Sequence, residues 1–412
     1  MFDFLEAAAS IIGTIVLGFC LLAIGAELAI RLWRWLQVTL FVEEVQRKDF
    51  LSPEYGPYLN WIEDWSKPMF QYLPIGLRHF NLDNPIGPVR NNALGFRCDE
   101  LTGSEPGELR VAVLGGSAAW GCGASSNEAT ISGQLERLIN HDGRLLSGFD
   151  RAKVYNLAQV DGHQTQDLLT ALFYLPRLRP HIAVSFTGWN ELVCNGSMRR
   201  DLLERYGVFY LTEMAGWQPL KAGGVSRQVL AQSFWIWSSK WSALAAELGV
   251  KHYAPAPAQQ RPVAECIEVG LPLFADHLVR LDELAATYGF RHFQFLQPNI
   301  YRKRTLTAEE AKIIELYDEV RPIQGGKATG DFLRTTNVYQ PLLDRVRHDP
   351  RIQSVTDLSD MFLDEAERRY FSLVHMTDTG YQVVAERIYD TLVAAAADGR
   401  SETSARSAVG DA

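Results

Sequence analysis

Ser117 closes a short apolar run in VLGGSAAWG. A serine at a sharp strand-to-helix turn attacks an acyl carbon when a base takes its proton and donors stabilise the oxyanion. Gly115 and Gly116 permit a tight turn and close backbone approach just before it. The Ser117 amide would then face a helix N-terminus, where negative charge is favoured. Gly162 follows a second apolar run in NLAQVDGHQTQDL, and Asn190 follows a third in SFTGWNEL. The Gly162 amide and the Asn190 side chain are candidate oxyanion donors. His375, in YFSLVHMTDTGY ahead of the closing helical pattern, is the candidate base. Each residue also has an ordinary reading: Ser and Asn cap helices, Gly turns the chain, and a lone His is commonly structural.

Several alternatives are excluded by spacing. Ala119 fills the last position of what would be G-x-S-x-G, so this is not the α/β-hydrolase elbow. No Gly-Lys-Ser/Thr follows the glycines, which argues against a phosphate-binding loop. Cys98, Cys194 and Cys266 have no metal-ligand spacing, and Cys122 reads as a packed helix residue.

The elements that must position these residues are legible as patterns. Arg110–Leu114, Lys153–Ala158, Ile182–Thr187 and His292–Leu296 read as strands, with Val355–Leu358 a last short one. Ile131–Ile139, Thr165–Leu175, Val263–Tyr288, Thr307–Tyr317, Asp331–Val346 and Gln382–Ala397 read as helices. This alternation predicts a parallel sheet with helices on both faces, whose sites lie at the carboxyl ends of the strands. Residues 191–262 interrupt the alternation with a Trp-rich insert (Trp217, Trp235, Trp237, Trp241) that ends in APAPAQQRP. Its tryptophans suit sugar stacking, subdomain packing or membrane contact alike.

Taken in order, GGS at Ser117, a glycine after the second strand, G-x-N at Asn190 and a C-terminal His resemble the SGNH/GDSL hydrolase family. NALGFR at 92–97 is similar to a lead-in of such enzymes, and FLQP at 295–298 with LTAEE at 306–310 is similar to a segment of bacterial members. The resemblance spans about Asn92 to Ala397. It implies a flavodoxin-like three-layer α/β/α domain, a Ser117 nucleophile, a His375 base, and an oxyanion hole of the Ser117 amide, the Gly162 amide and Asn190. It implies small acyl esters as substrates, often O-acetyl groups on carbohydrate, and neither metal nor organic cofactor.

One position departs from the family. The acid expected three residues before the histidine is Ser372. Ser372 can orient the imidazole only by a hydrogen bond; Asp378, Asp360 and Glu191 are the carboxylates near enough in sequence to substitute. A site so altered is expected either to work as a Ser-His dyad or to serve a non-catalytic binding or assembly role.

The N-terminus carries a different signal. No charged residue falls between Ala7 and Ala26, and about 20 residues of helix span about 30 Å, the thickness of a bilayer's hydrocarbon core. The flanks lack a signal peptide's positive n-region, so residues 7–31 are expected to be a retained anchor. Residues 32–91 form an irregular lead-in and 398–412 a disordered tail. Arg31, Arg34, Arg47 and Lys48 follow the span, which by charge alone would put the large domain in the cytoplasm. The substrates implied by the resemblance lie outside, and the domain is expected to be periplasmic or extracytoplasmic. The chain is acidic, with 49 Asp and Glu against 40 Lys and Arg, which disfavours nucleic-acid partners. Its 47% apolar and 22% charged residues are those of a globular protein, and five cysteines exclude a disulfide scaffold. The expected partners are therefore an acylated glycan or lipid, and the membrane.

Overall fold

The computed structural model describes residues 2–47, 70–72, 78–80, 89–101, 105–197, 261–320 and 326–410, and the single positions 203, 204, 209, 242 and 244. Trp217, Trp235, Trp237 and Trp241 lie outside the described residues, as does most of the 32–91 lead-in. The chain divides into two compact units, residues 1–50 with 216–258, and residues 51–215 with 259–412.

In the first unit, helix α1 runs Phe2–Arg47 without a break. Its segment Ser10–Trp33 is 24 residues long with a mean hydropathy of 2.3 and none of it buried. It is long and apolar enough to cross a membrane.

The second unit holds the sheet. Short strands β1 (Phe70–Tyr72) and β2 (Arg78–Phe80) pair antiparallel within the lead-in. The main strands are β3 (Glu108–Gly115), β4 (Arg151–Asn156), β5 (Ile182–Thr187), β6 (Arg291–Leu296) and β7 (Val355–Asp357). All pair parallel, in the order β4-β3-β5-β6-β7. Every residue of β3 is buried, as expected for a central parallel strand covered on both faces.

Between the strands lie α2 (Ser117–Trp120), α3 (Ile131–Asp142), α4 (Gln164–Leu178), α5 (Trp189–Leu192), α6 (Val263–Tyr288), α7 (Ala308–Glu315), α8 (Lys327–Thr335), α9 (Gln340–Val346) and α10 (Asp378–Gly410). Helices α4 and α6 pack together on one face, where Ala171, Leu175, Leu281 and Ala285 close over Ala112 and Leu114 of β3. Helices α3 and α10 pack together on the other. The protein is thus a doubly wound three-layer α/β/α unit with the sheet order of flavodoxin-like folds.

Two differences from the sequence pattern have local causes. The expected helix 331–346 is two helices, because Pro341 has no N–H to donate back along a continuous helix and is tolerated only in the first turn of the second. Helix α10 starts earlier than expected, at Asp378, where the Thr377 hydroxyl accepts the Gly380 amide. It also continues as helical backbone through the tail, to Gly410.

Candidate active site

The strand order reverses between β3 and β5, and in open α/β sheets this is where ligands bind. Ser117 follows β3 there, as the first residue of α2. Gly115 adopts φ +140°, and a Cβ on it would collide with the Phe186 carbonyl of β5. A Cβ on Gly116 would stand 2.8 Å from Asn190 Nδ2 and 3.0 Å from the Gly162 carbonyl oxygen. The two glycines therefore let the loops after β4 and β5 close against the Ser117 turn.

His375 arrives from the other end of the chain. Its Nε2 is 2.8 Å from Ser117 Oγ across 258 residues of sequence. Its Nδ1 is 2.8 Å from Ser372 Oγ, which also accepts the His375 amide at 3.3 Å. The loop is closed on itself, with the Phe371 and Ser372 amides both donating to the His375 carbonyl. With Nδ1–H donating to Ser372, Nε2 presents its lone pair to the Ser117 hydroxyl, the tautomer a general base requires. His375 keeps partial solvent access, yet its ring lies among protein atoms. Loss of hydration pushes its pKa down to about 4, against a raising contribution from the Asp161 carboxylate.

The three candidate carboxylates are engaged elsewhere. Asp378 accepts from the Ser125 amide at 2.9 Å and the Ser125 hydroxyl at 2.5 Å. Asp360 pairs with Arg302 at 2.6 and 2.9 Å. Glu191 is buried and accepts the Gln164 and Gly188 amides, each at 2.8 Å. Burial pushes Glu191 up to about 7, and it also raises the nearby Asp167, whose shift the Glu191 charge reinforces. By holding one amide from the start of α4 and one from the β5–α5 turn, Glu191 fixes the two loops that carry Gly162 and Asn190.

The donor set differs from expectation at one residue. The Ser117 amide, at the first position of α2, has no acceptor among the described residues. The Gly162 amide is already given to the Gln159 carbonyl at 2.9 Å, closing a tight turn. Gly162 contributes its carbonyl instead, which accepts from Asn190 Nδ2 at 2.7 Å. That bond holds the Asn190 amide beside Gly116 and leaves its second N–H to donate. An oxyanion here would be met by the Ser117 amide and Asn190, with Gly162 as the group that aims Asn190.

Three supports escaped the sequence reading. Asp161, just before Gly162 at φ +54°, is the carboxylate whose charge reaches His375. Its signal was an Asp-Gly turn pair. Glu310, of the LTAEE segment, is fully buried with Lys303 at 2.5 Å. It accepts the Arg369 and Tyr370 amides at 2.9 and 3.2 Å, five residues and more ahead of His375. Arg97, of the NALGFR lead-in, is buried and donates to the carbonyls of Gly121, Ala124 and Ser126. That loop in turn meets the histidine side: Tyr381 donates to the Cys122 carbonyl at 2.6 Å, and Ser125 bonds Asp378. Cys122 itself is buried, and burial pushes its thiol to about 12, so it is inert as a nucleophile.

A cavity of about 610 Å³ opens at the other end of the sheet, beside Glu105, Glu108 and Glu136. Arg151 and Lys153 pair with these acids, at the amino ends of β3 and β4 and away from Ser117.

No family model matches the chain, and neither does any curated protein. Solved structures do match. An acetyl xylan esterase is 12% identical with a TM-score of 0.35, over 68% of this chain and 98% of that one. A lipase/acylhydrolase from Enterococcus faecalis is 10% identical with a TM-score of 0.31, over 69% and 95%. A putative acylhydrolase from Bacteroides fragilis is 11% identical with a TM-score of 0.31, over 71% and 92%.

Proposed function

We propose that this chain is a membrane-anchored, SGNH-type serine esterase. It cleaves or transfers a small acyl group, O-acetyl in the first instance, on a cell-envelope glycan or lipid. The observation that carries the reading is the 2.8 Å contact between Ser117 Oγ and His375 Nε2 at the switch point of the sheet. The order of motifs in the sequence supports the family. The long apolar helix α1 supports the anchor; a catalytic unit outside the cytoplasm is proposed from the substrates that the resemblance implies, against the charges that follow the span.

In the first step Ser117 Oγ attacks the acyl carbon as its proton passes to His375 Nε2. The carbonyl electron pair moves to oxygen, where the Ser117 amide and Asn190 donate. Collapse expels the alcohol oxygen, which takes the proton back from His375 and leaves acyl-Ser117. Water or a sugar hydroxyl then attacks the acyl carbon as His375 again accepts the proton, and collapse breaks the bond to Ser117 Oγ, which takes that proton back and frees the acid or the new ester. Hydrolysis and transfer share this intermediate and differ only in the second nucleophile.

The test is p-nitrophenyl acetate turnover by the full-length chain, with fluorophosphonate labelling alongside. Turnover and labelling that disappear in Ser117→Ala, with turnover lost in His375→Ala, are expected. A second reading, a binding or assembly protein on the same fold, is favoured by Ser372 standing where an acid is normal. An unlabelled serine together with no turnover would select it.

A further inference from the structure

Two positions of the insert, Ser242 and Leu244, belong to the same compact unit as α1. Glu27 lies inside the apolar segment Ser10–Trp33 of α1, six residues or about 9 Å before its end. A carboxylate at such a depth needs partners. One is Arg31, a turn later on the same helix, at 2.6 Å. The other two come from the insert: the Ser242 hydroxyl at 2.7 Å and the Leu244 amide at 2.9 Å, both donating to Glu27 Oε2. Shielding along the helix tells the same story. From Ser10 to Trp33 the side chains are exposed except at Ala26, Glu27 and Ile30, which share one face. Ile11, Leu17, Phe19, Leu22, Leu28 and Trp33 are each more than half exposed, an apolar surface suited to lipid.

We infer that Ser242 and Leu244 of the insert dock on Glu27 of α1 inside the membrane boundary, and that the partner of the remaining apolar surface of α1 is the lipid bilayer. This rests on the proposal that α1 spans the membrane. Leu244 supplies a backbone N–H to Glu27, so that amide needs no water at this depth. The contact also gives α1 a structural role in the mature protein. A helix removed as a leader would leave Ser242 and the Leu244 amide without their acceptor.

The test uses the full chain in open membrane sheets, so that both faces are reachable. The background carries Cys20→Ser, Cys98→Ser and Cys194→Ser; the remaining Cys122 and Cys266 are buried. Leu244→Cys is labelled with a membrane-impermeant maleimide against Glu283→Cys, an exposed position of the sheet unit. Labelling at 244 about tenfold slower than at 283, and faster again once Glu27→Ala is added, is expected. Labelling at the control rate, or a slow rate indifferent to Glu27→Ala, overturns the docking. Alkaline carbonate extraction and N-terminal sequencing of the same membranes keep the two ideas apart. Release of the chain, or a start beyond residue 26, defeats the span itself, and the docking with it. A retained, integral chain with a freely labelled 244 defeats only the docking.

Discussion

Ser372 Oγ and His375 Nδ1 stand 2.8 Å apart, so a neutral hydroxyl occupies the place where a catalytic triad carries an acid. A hydroxyl can hold the imidazole in one tautomer and one orientation, but it cannot offset the positive charge that forms on the ring during attack. Ser372→Asp would add that charge at the same atom. It is expected to raise kcat for p-nitrophenyl acetate, bounded by the roughly 10⁴ that neutralising the acid costs in a complete triad. Ser372→Ala is expected to lower kcat with little change in KM, since the ring loses its tether. A kcat that falls in the aspartate variant would mean that Ser372 is not the limiting group.

The second prediction concerns pH. A base works only while unprotonated, and His375 is pushed down from 6.5 to about 4 by burial. Its neutral form therefore persists to lower pH than an ordinary histidine's. The acid limb of kcat/KM, which reports the free enzyme, should fall near pH 4, with activity level above about pH 5. Asp161→Asn removes a charge that favours the protonated ring and should move the limb further down. The aspartate at 372 should move it up. A limb at pH 6.5 in the wild type would contradict the environment seen around the ring.

Strand and helix identities were legible where composition alone decides them. Ile182–Thr187 is a short, mostly apolar run of the kind a buried strand carries, and Val263–Tyr288 ends at Gly289, in left-handed backbone that stops a helix. The order Ser117, Gly162, Asn190, His375 was legible as motif. What the pattern did not carry was direction. Asp378 lies three residues beyond His375, but as the first residue of α10 its carboxylate turns to Ser125. Gly162 sits where a donor is wanted, but the Gln159–Gly162 turn consumes its amide. Asp161 and Glu310 act across space from other elements, and sequence distance gives no measure of that.

The third prediction follows from the Asn190–Gly162 bond. If one Asn190 N–H is held by the Gly162 carbonyl and the other serves the oxyanion, Asn190→Ala removes a transition-state donor. The expected loss is about 10²–10³ in kcat with KM nearly unchanged. Asn190→Asp should be no better, because a carboxylate would face the Gly162 carbonyl and the developing oxyanion together. A change confined to KM would make Asn190 a substrate-binding group instead.

The last prediction separates the scaffold from the chemistry. Lys303 and Glu310 form a pair in which neither side chain is exposed, and Glu310 also accepts amides from Thr307, Arg369 and Tyr370. Lys303→Met leaves the carboxylate buried without its cation, a change that typically costs roughly 3–5 kcal/mol. Denaturant unfolding should register that loss. Replacing both partners, as Lys303→Met with Glu310→Leu, removes the buried charges but strips three amides of their acceptor. The double variant should therefore remain well below wild type, unlike a simple ion pair exchanged for apolar packing. The residues so loosened lead into Phe371–His375, so kcat should fall in both variants while fluorophosphonate still labels Ser117, more slowly. Full stability in the double variant would show that Glu310 serves only to neutralise Lys303 and does not hold the histidine loop.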